Sequence, residues 1–267
     1  MNNGPVVFVH GLWLHRTSWD PWVERFRAEG YEPVAPGWPG EGATVAECRQ
    51  NPDAVAGFGI AAVAEHYAAI VRDLPSKPVL IGHSFGGLLV QRLLGDGLGS
   101  AAVSIDAAPP KGVYTLPLSS LRVASIALRN PSNRKKHAVA LNRKQFRYGF
   151  GNAVSEEESD SLFDRWAVPS PGRPLFEAAA ANFRSSSPAK VDVANATRGP
   201  LLFVSGGRDH TVPDVVTRAA YKLYAKSPAV TELRQFPDRG HSLGLDHGWR
   251  EVADVVRGWV ETKVPVS

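Results

Sequence analysis

Cysteine is nearly missing from the 267 residues. Cys48 is the only one, which excludes an internal disulfide and any cysteine-based metal site. Long apolar runs are missing too: none approaches the roughly 20 residues of a membrane span, so no span is expected. Charge of one sign is scarce, because 30 Lys and Arg against 26 Asp and Glu leave only +4. That excess is too small and too dispersed to predict a nucleic-acid partner. Met1-Asn2-Asn3-Gly4-Pro5 leads straight into an apolar stretch. No charged segment followed by a long apolar one marks export, so a cytoplasmic location is expected.

What the chain does have is 43% hydrophobic content and alternating strand and helix signals, enough for one α/β domain with an insertion. Its organising stretch runs from Pro78 to Val90. The apolar run Val79-Leu80-Ile81 meets Gly82-His83-Ser84-Phe85-Gly86 and then an apolar helix. A serine at the apex of such a strand–turn–helix elbow is strained and exposed, and glycines two residues either side let strand and helix pass closely. Ser84 is the candidate nucleophile. The Phe85 N–H at the helix start points toward negative charge that develops on a substrate carbonyl.

From the start of the chain, Pro5 to Val9 predicts a strand ending at His10-Gly11-Leu12-Trp13, with the Leu12 N–H as a second oxyanion donor. Trp19, Trp22, Val23 and Phe26 recur at helical spacing and are core packing. A short strand over 32–35 leads into Pro36-Gly37-Trp38-Pro39-Gly40-Glu41-Gly42, a loop in which Trp38 is a candidate pocket wall beside Trp13. A helix over about 59–74 precedes the elbow. The glycines at 95, 97 and 99 follow a helix rather than a strand, so they form a stop and a turn and not a dinucleotide site.

A fourth strand over 101–106 is followed by residues 111–198, where strand alternation disappears. This segment predicts a helical cap, with 1–110 and 199–267 as the core. Ser155-Glu156-Glu157-Glu158 predicts a capping box. Phe146 and Trp166 are the cap's candidate substrate-binding residues. Strands over 201–205 and 230–236 then run into Gly207-Arg208-Asp209 and Gly240-His241, and a terminal helix follows.

Ser84, Asp209 and His241 thus follow one another in chain order, each in a loop past a strand. The 32 residues from Asp209 to His241 accommodate one helix and one strand, which makes the two loops neighbours. In this reading His241 takes the serine proton and Asp209 holds the imidazole in its working tautomer. Asp106, past the fourth strand, is the competing acid. His15, His210 and His247 lack spacing for a metal, and no metal or cofactor is expected.

His10-Gly11-Leu12, Gly82-His83-Ser84-Phe85-Gly86, Gly207-Arg208-Asp209 and Gly240-His241 resemble the four signature loops of the α/β-hydrolase superfamily and span the chain except the cap. The resemblance implies Ser84 as nucleophile, His241 as base, Asp209 as acid, and Leu12 and Phe85 as oxyanion donors. Because His10-Gly11 comes so early, the family's first two strands have no room. The expected fold is therefore a mostly parallel six-stranded sheet with helices on both faces, as in smaller members that resemble plant methylesterases. Its implied activity is hydrolysis of small to medium apolar esters through an acyl-enzyme, with a small ester-like molecule as partner. Lactone, thioester and carbon–carbon bond hydrolysis stay open. A hydroxynitrile lyase is disfavoured by Leu12 and Ser242, which stand where those relatives carry threonine and lysine. A ligand-binding receptor is disfavoured by the intact Ser84, Asp209 and His241. The oligomeric state is not expressed in the sequence.

Overall fold

The structure, a computed structural model, describes residues 3–264; the part of the N-terminal expectation that falls on Met1 and Asn2 lies outside them. Along the chain come β1 (Pro5–Val9), α1 (Asp20–Ala28), β2 (Glu32–Val34), α2 (Val45–Gln50), α3 (Ile60–Arg72), β3 (Val79–His83), α4 (Phe85–Gly95) and β4 (Ala101–Ile105). The segment after β4 contributes α5 (Leu118–Leu128), β5 (Ala138–Val139), α6 (Arg143–Gly149), α7 (Glu156–Trp166), β6 (Ser170–Pro171) and α8 (Arg173–Ala179). The chain closes with β7 (Leu201–Gly206), α9 (Asp214–Leu223), β8 (Thr231–Phe236) and α10 (Trp249–Lys263).

Six strands form one sheet in the order β2-β1-β3-β4-β7-β8, and every neighbouring pair is parallel. β1, β3, β4 and β7 are buried along their whole length. A parallel strand covered by helices on both faces has no solvent side, which is why these segments read as continuous apolar runs. Alternation divides their side chains between two cores. Val7, Val9, Leu80, Ala102, Leu201 and Phe203 pack with α3, α4 and α9. Val6, Phe8, Val79, Ile81, Val103 and Leu202 pack with Trp22 and Phe26 of α1 and with Val252, Val256 and Val260 of α10. No helix among the described residues is long and apolar enough to cross a membrane.

Strand order reverses between β1 and β3, and the carboxyl ends flanking such a switch point form the crevice where open α/β sheets bind ligands. The segment after β4 is tied over this edge by hydrogen bonds. On one side the Trp13 N–H donates to Ser170 Oγ, Val168 N–H to the Trp13 carbonyl and His15 N–H to the Trp166 carbonyl. On the other, Thr211 Oγ1 donates to the Gly149 carbonyl and Asn152 Nδ2 to the Arg208 carbonyl.

Two local details differ from the sequence reading. At Ser155 only half of a capping box forms. The Ser155 hydroxyl accepts the Glu158 N–H, but the Glu158 carboxylate turns to the backbone and ring of His247. A complete box stands instead at Asn142 and Gln145, where it starts α6. The segment also contains a two-residue antiparallel pairing of β5 with β6, too short for a period-two pattern to register.

Candidate active site

Among the described residues three non-glycine residues have positive φ, and all three lie past the carboxyl ends of adjacent strands: Trp13 at 66°, Ser84 at 55° and Asp106 at 40°. Backbone held in such sparsely populated conformations costs of order 1–3 kcal/mol per residue and concentrates at functional sites. Ser84 sits between β3 and α4 with ψ −120°. Its N–H donates to the Ile105 carbonyl and its own carbonyl accepts from Ala108 N–H, so neighbouring strands over-determine the strained turn.

The glycines of the elbow are sterically required. A Cβ on Gly82 would lie 2.2 Å from the Gly86 carbonyl oxygen, and one on Gly86 would lie 2.0 Å from the Val9 carbonyl oxygen. Gly86→Ala would force β1 and α4 apart. Overpacking of this kind costs at least about 1–3 kcal/mol, and a chain of this size loses about 2–4 °C per kcal/mol. Scanning calorimetry of Gly86→Ala should therefore show a melting temperature lower by about 5 °C or more. A melt within about 1 °C of the parent would mean that the two backbones separate freely.

His241 follows β8 in a fully buried position. Its Nδ1 lies 2.6 Å from Asp209 Oδ2, and its Nε2 has no hydrogen-bond partner among the described residues. The other Asp209 oxygen accepts the N–H groups of Thr211 and Val212 at 2.6 and 2.9 Å. The carboxylate is thus fixed by its own loop, and Nδ1 must carry the hydrogen that faces it. That tautomer leaves a lone pair on Nε2. His83, the last residue of β3, supports the same loop by donating Nε2–H to the His241 carbonyl at 2.8 Å. Burial, then the proximity of His241, hold the His83 imidazole well below its ordinary pKa, so it stays neutral.

The Gly11–Leu12 turn packs directly on the elbow. A Cβ on Gly11 would lie 2.6 Å from Ser84 Cβ and 3.2 Å from Ser84 Oγ. Among the described residues, neither the Leu12 nor the Phe85 N–H is taken by another group. Behind this turn lies a buried constellation that sequence reasoning missed. Glu41 Oε2 is 3.0 Å from His10 Nε2, and Glu41 Oε1 is 3.6 Å from His15 Nε2 and 3.4 Å from Arg16 Nη1. Burial pushes the Glu41 carboxyl up, but the charge and hydrogen bond of His10, with His15 and the Arg16 N–H, hold it below its ordinary value.

The four aromatics singled out for substrate separate in space. Trp13 is buried, with its indole N–H on the Val139 carbonyl and its ring edge-on to Phe150. Phe146 is stacked on Phe150 at 4.9 Å, one layer behind it. Trp38 donates its indole N–H to the His10 carbonyl and lies beside the His10 ring, so its observed partner is the turn that follows β1. Trp166 lines a cleft of about 620 Å³ with Pro21, Arg25, Leu245 and Trp249. The aromatic of the segment after β4 that meets His241 is Phe150, edge-on at 4.8 Å. At the surface, Glu158, Asp246 and His247 bring potential ligand atoms within 4.8 Å of one another. Arg239 already pairs with Asp246, however, and Glu158 with His247.

The sequence profile of the alpha/beta hydrolase family matches residues 6–255, and the chain belongs to that family. No curated protein matches it in a sequence search. Among solved structures, it is similar to a methylesterase from Arabidopsis at TM-score 0.64 and 17% identity, covering 96% of this chain and 98% of that one. An extracellular alpha/beta-hydrolase from a Paenibacillus species has a TM-score of 0.70 at 18% identity, over 95% and 98% of the two chains. A monoacylglycerol lipase from Paleococcus ferrophilus has a TM-score of 0.70 at 19% identity, over 98% and 96%. At these identities the likeness is one of fold.

Proposed function

We propose that the protein is a serine hydrolase that cleaves small to medium apolar carboxylic esters through an acyl-enzyme. One observation carries this reading: His241 holds Asp209 at 2.6 Å through Nδ1 while its Nε2 is left without a partner, in a loop at the same sheet edge as the strained Ser84. In this mechanism Ser84 Oγ attacks the ester carbonyl as His241 Nε2 takes its proton. The Leu12 and Phe85 N–H groups receive the oxyanion, and Asp209 stabilises the imidazolium. His241 then returns the proton to the leaving alcohol. Water, deprotonated by the same nitrogen, releases the acid and restores Ser84.

Residues 111–198 act in this proposal as a cap on a core of 1–110 and 199–267. Phe150 of the cap and Trp13 of the core form the apolar wall of the site, with Phe146 stacked behind Phe150, and a cytoplasmic location belongs to the same reading, checked by cell fractionation. A closed apolar site strengthens the oxyanion hydrogen bonds but limits the acyl group. Each buried methylene adds at most about 0.8 kcal/mol, close to fourfold. With p-nitrophenyl esters, kcat/KM should climb from acetate to a maximum between butyrate and octanoate and then fall. A flat profile would detach the cap from the acyl pocket, and a steady rise into insoluble long-chain lipids would make the enzyme a lipase.

A further inference from the structure

Asp106 is a buried carboxyl that makes no ion pair with Lys or Arg among the described residues. It follows β4 and is fully buried. Its Oδ1 accepts the Gly206 N–H at 2.7 Å, and its Oδ2 receives no N–H or hydroxyl donor among the described residues. The charged and titratable groups that face it come from four directions. Asp209 lies in the loop after β7, within side-chain hydrogen-bonding reach, and Asp214 lies at the start of α9. His83 at the end of β3 and His241 after β8 each bring a ring nitrogen within 4.8 Å of an Asp106 oxygen and of each other. His83 is neutral and its Nε2–H is committed to the His241 carbonyl.

Two buried carboxylates within hydrogen-bonding reach, with no Lys or Arg among the groups acting on Asp106, do not both stay ionised; one proton belongs to the pair. The partners decide where it goes. Asp209 receives the Thr211 and Val212 N–H groups and faces His241, all of which favour the anion. Asp106 has a single N–H. Burial, then the adjacent Asp209 charge, push the Asp106 carboxyl well above the ordinary range.

We propose that Asp106 is a positioning residue that acts as a neutral acid, keeping its proton through turnover and donating it to the Asp209 carboxylate. The acid behind His241 is then a hydrogen-bonded carboxyl pair. The proposal rests on the reading of Ser84, Asp209 and His241 given above. An O–H donor on Asp209 draws off part of its charge and fixes its plane beneath the imidazole. Loss of the donor leaves a stronger anion beside His241, holds the imidazolium more firmly and moves the acid limb of kcat/KM to higher pH. Loss of a second negative charge, had Asp106 been ionised, would move that limb to lower pH. The signs are opposite.

The test compares Asp106→Leu, which removes donor and acid together, with Asp106→Asn, whose carbonyl can still accept from Gly206 while its amide donates to Asp209. Asp106→Leu should lose about 10- to 100-fold in kcat, the effect of one hydrogen bond to a charged group, with KM little changed and the acid limb displaced upward. Asp106→Asn should restore most of that loss and return the limb to the parent position. Equal kcat and pH profiles for the two variants would reduce Asp106 to packing, and a downward shift in Asp106→Asn would show that it is ionised.

Thermal melts give an arm independent of turnover. An acid whose native pKa is raised adds stability below its unfolded value, and that contribution is lost as pH rises toward the native value. The parent should therefore lose melting temperature relative to Asp106→Asn between about pH 4 and pH 8. A constant difference across that range would overturn the proposal. If the parent neither turns over esters nor takes a phosphonate at Ser84, the catalytic reading fails while the melts still report the protonation of Asp106.

Discussion

Ser84→Ala is expected to lose at least about 10³-fold in kcat on p-nitrophenyl butyrate while keeping the parent fold. In the proposed mechanism the hydroxyl is the group at the elbow whose removal abolishes the acyl-enzyme outright. The variant retains the two free N–H groups and the Asp209–His241 pair, which together support only residual catalysis over water. Its Cβ still meets the Gly11 turn, so the packing of the site is preserved and circular dichroism should superimpose on the parent. A fluorophosphonate should add one mass equivalent to the parent at Ser84 and none to the variant. Labelling that survives Ser84→Ala would move the nucleophile elsewhere.

The parts of this site legible in the sequence are those with local causes. The elbow is a strand, a turn and a helix in contiguous residues. Each glycine in it answers a backbone collision within the same motif or with β1, so a chemist needs no tertiary information to propose it. Asp209 and His241 are far apart in the chain, but parallel-sheet topology brings every strand's carboxyl end to one edge, and chain order then becomes spatial neighbourhood. What stayed hidden depends on which side chains meet across elements. Phe150, Phe146 and Phe163 are equivalent as aromatic residues of a helical segment, and only the docking of α6 brings the Phe150 ring to His241. Glu41 lies in a Pro- and Gly-rich loop that reads as a connection, yet its buried carboxylate meets the rings of His10 and His15. Asp106 was legible as an acid at the right edge. Its relation to Asp209 was not, because the proposed sharing of a proton depends on which side chains meet across two strands.

Asp209→Asn should cost about 10⁴-fold in kcat, and the geometry explains why the amide cannot simply substitute for the carboxylate. The Thr211 and Val212 N–H groups both donate to one Asp209 oxygen. In the variant they would keep the amide oxygen on that side and turn the NH2 group toward His241 Nδ1. An N–H donor there forces Nδ1 to accept and puts the imidazole hydrogen on Nε2, the atom that takes the Ser84 proton in the proposed mechanism. The base is then present in the wrong tautomer, and binding of substrate is largely retained, so kcat falls far more than KM rises. Asp106→Asn, which leaves the Asp209–His241 hydrogen bond in place, should stay within about tenfold of the parent in the same assay. If the two aspartates exchange these outcomes, with Asp106→Asn losing about 10⁴-fold and Asp209→Asn nearly active, the acid that orients His241 is the one after β4.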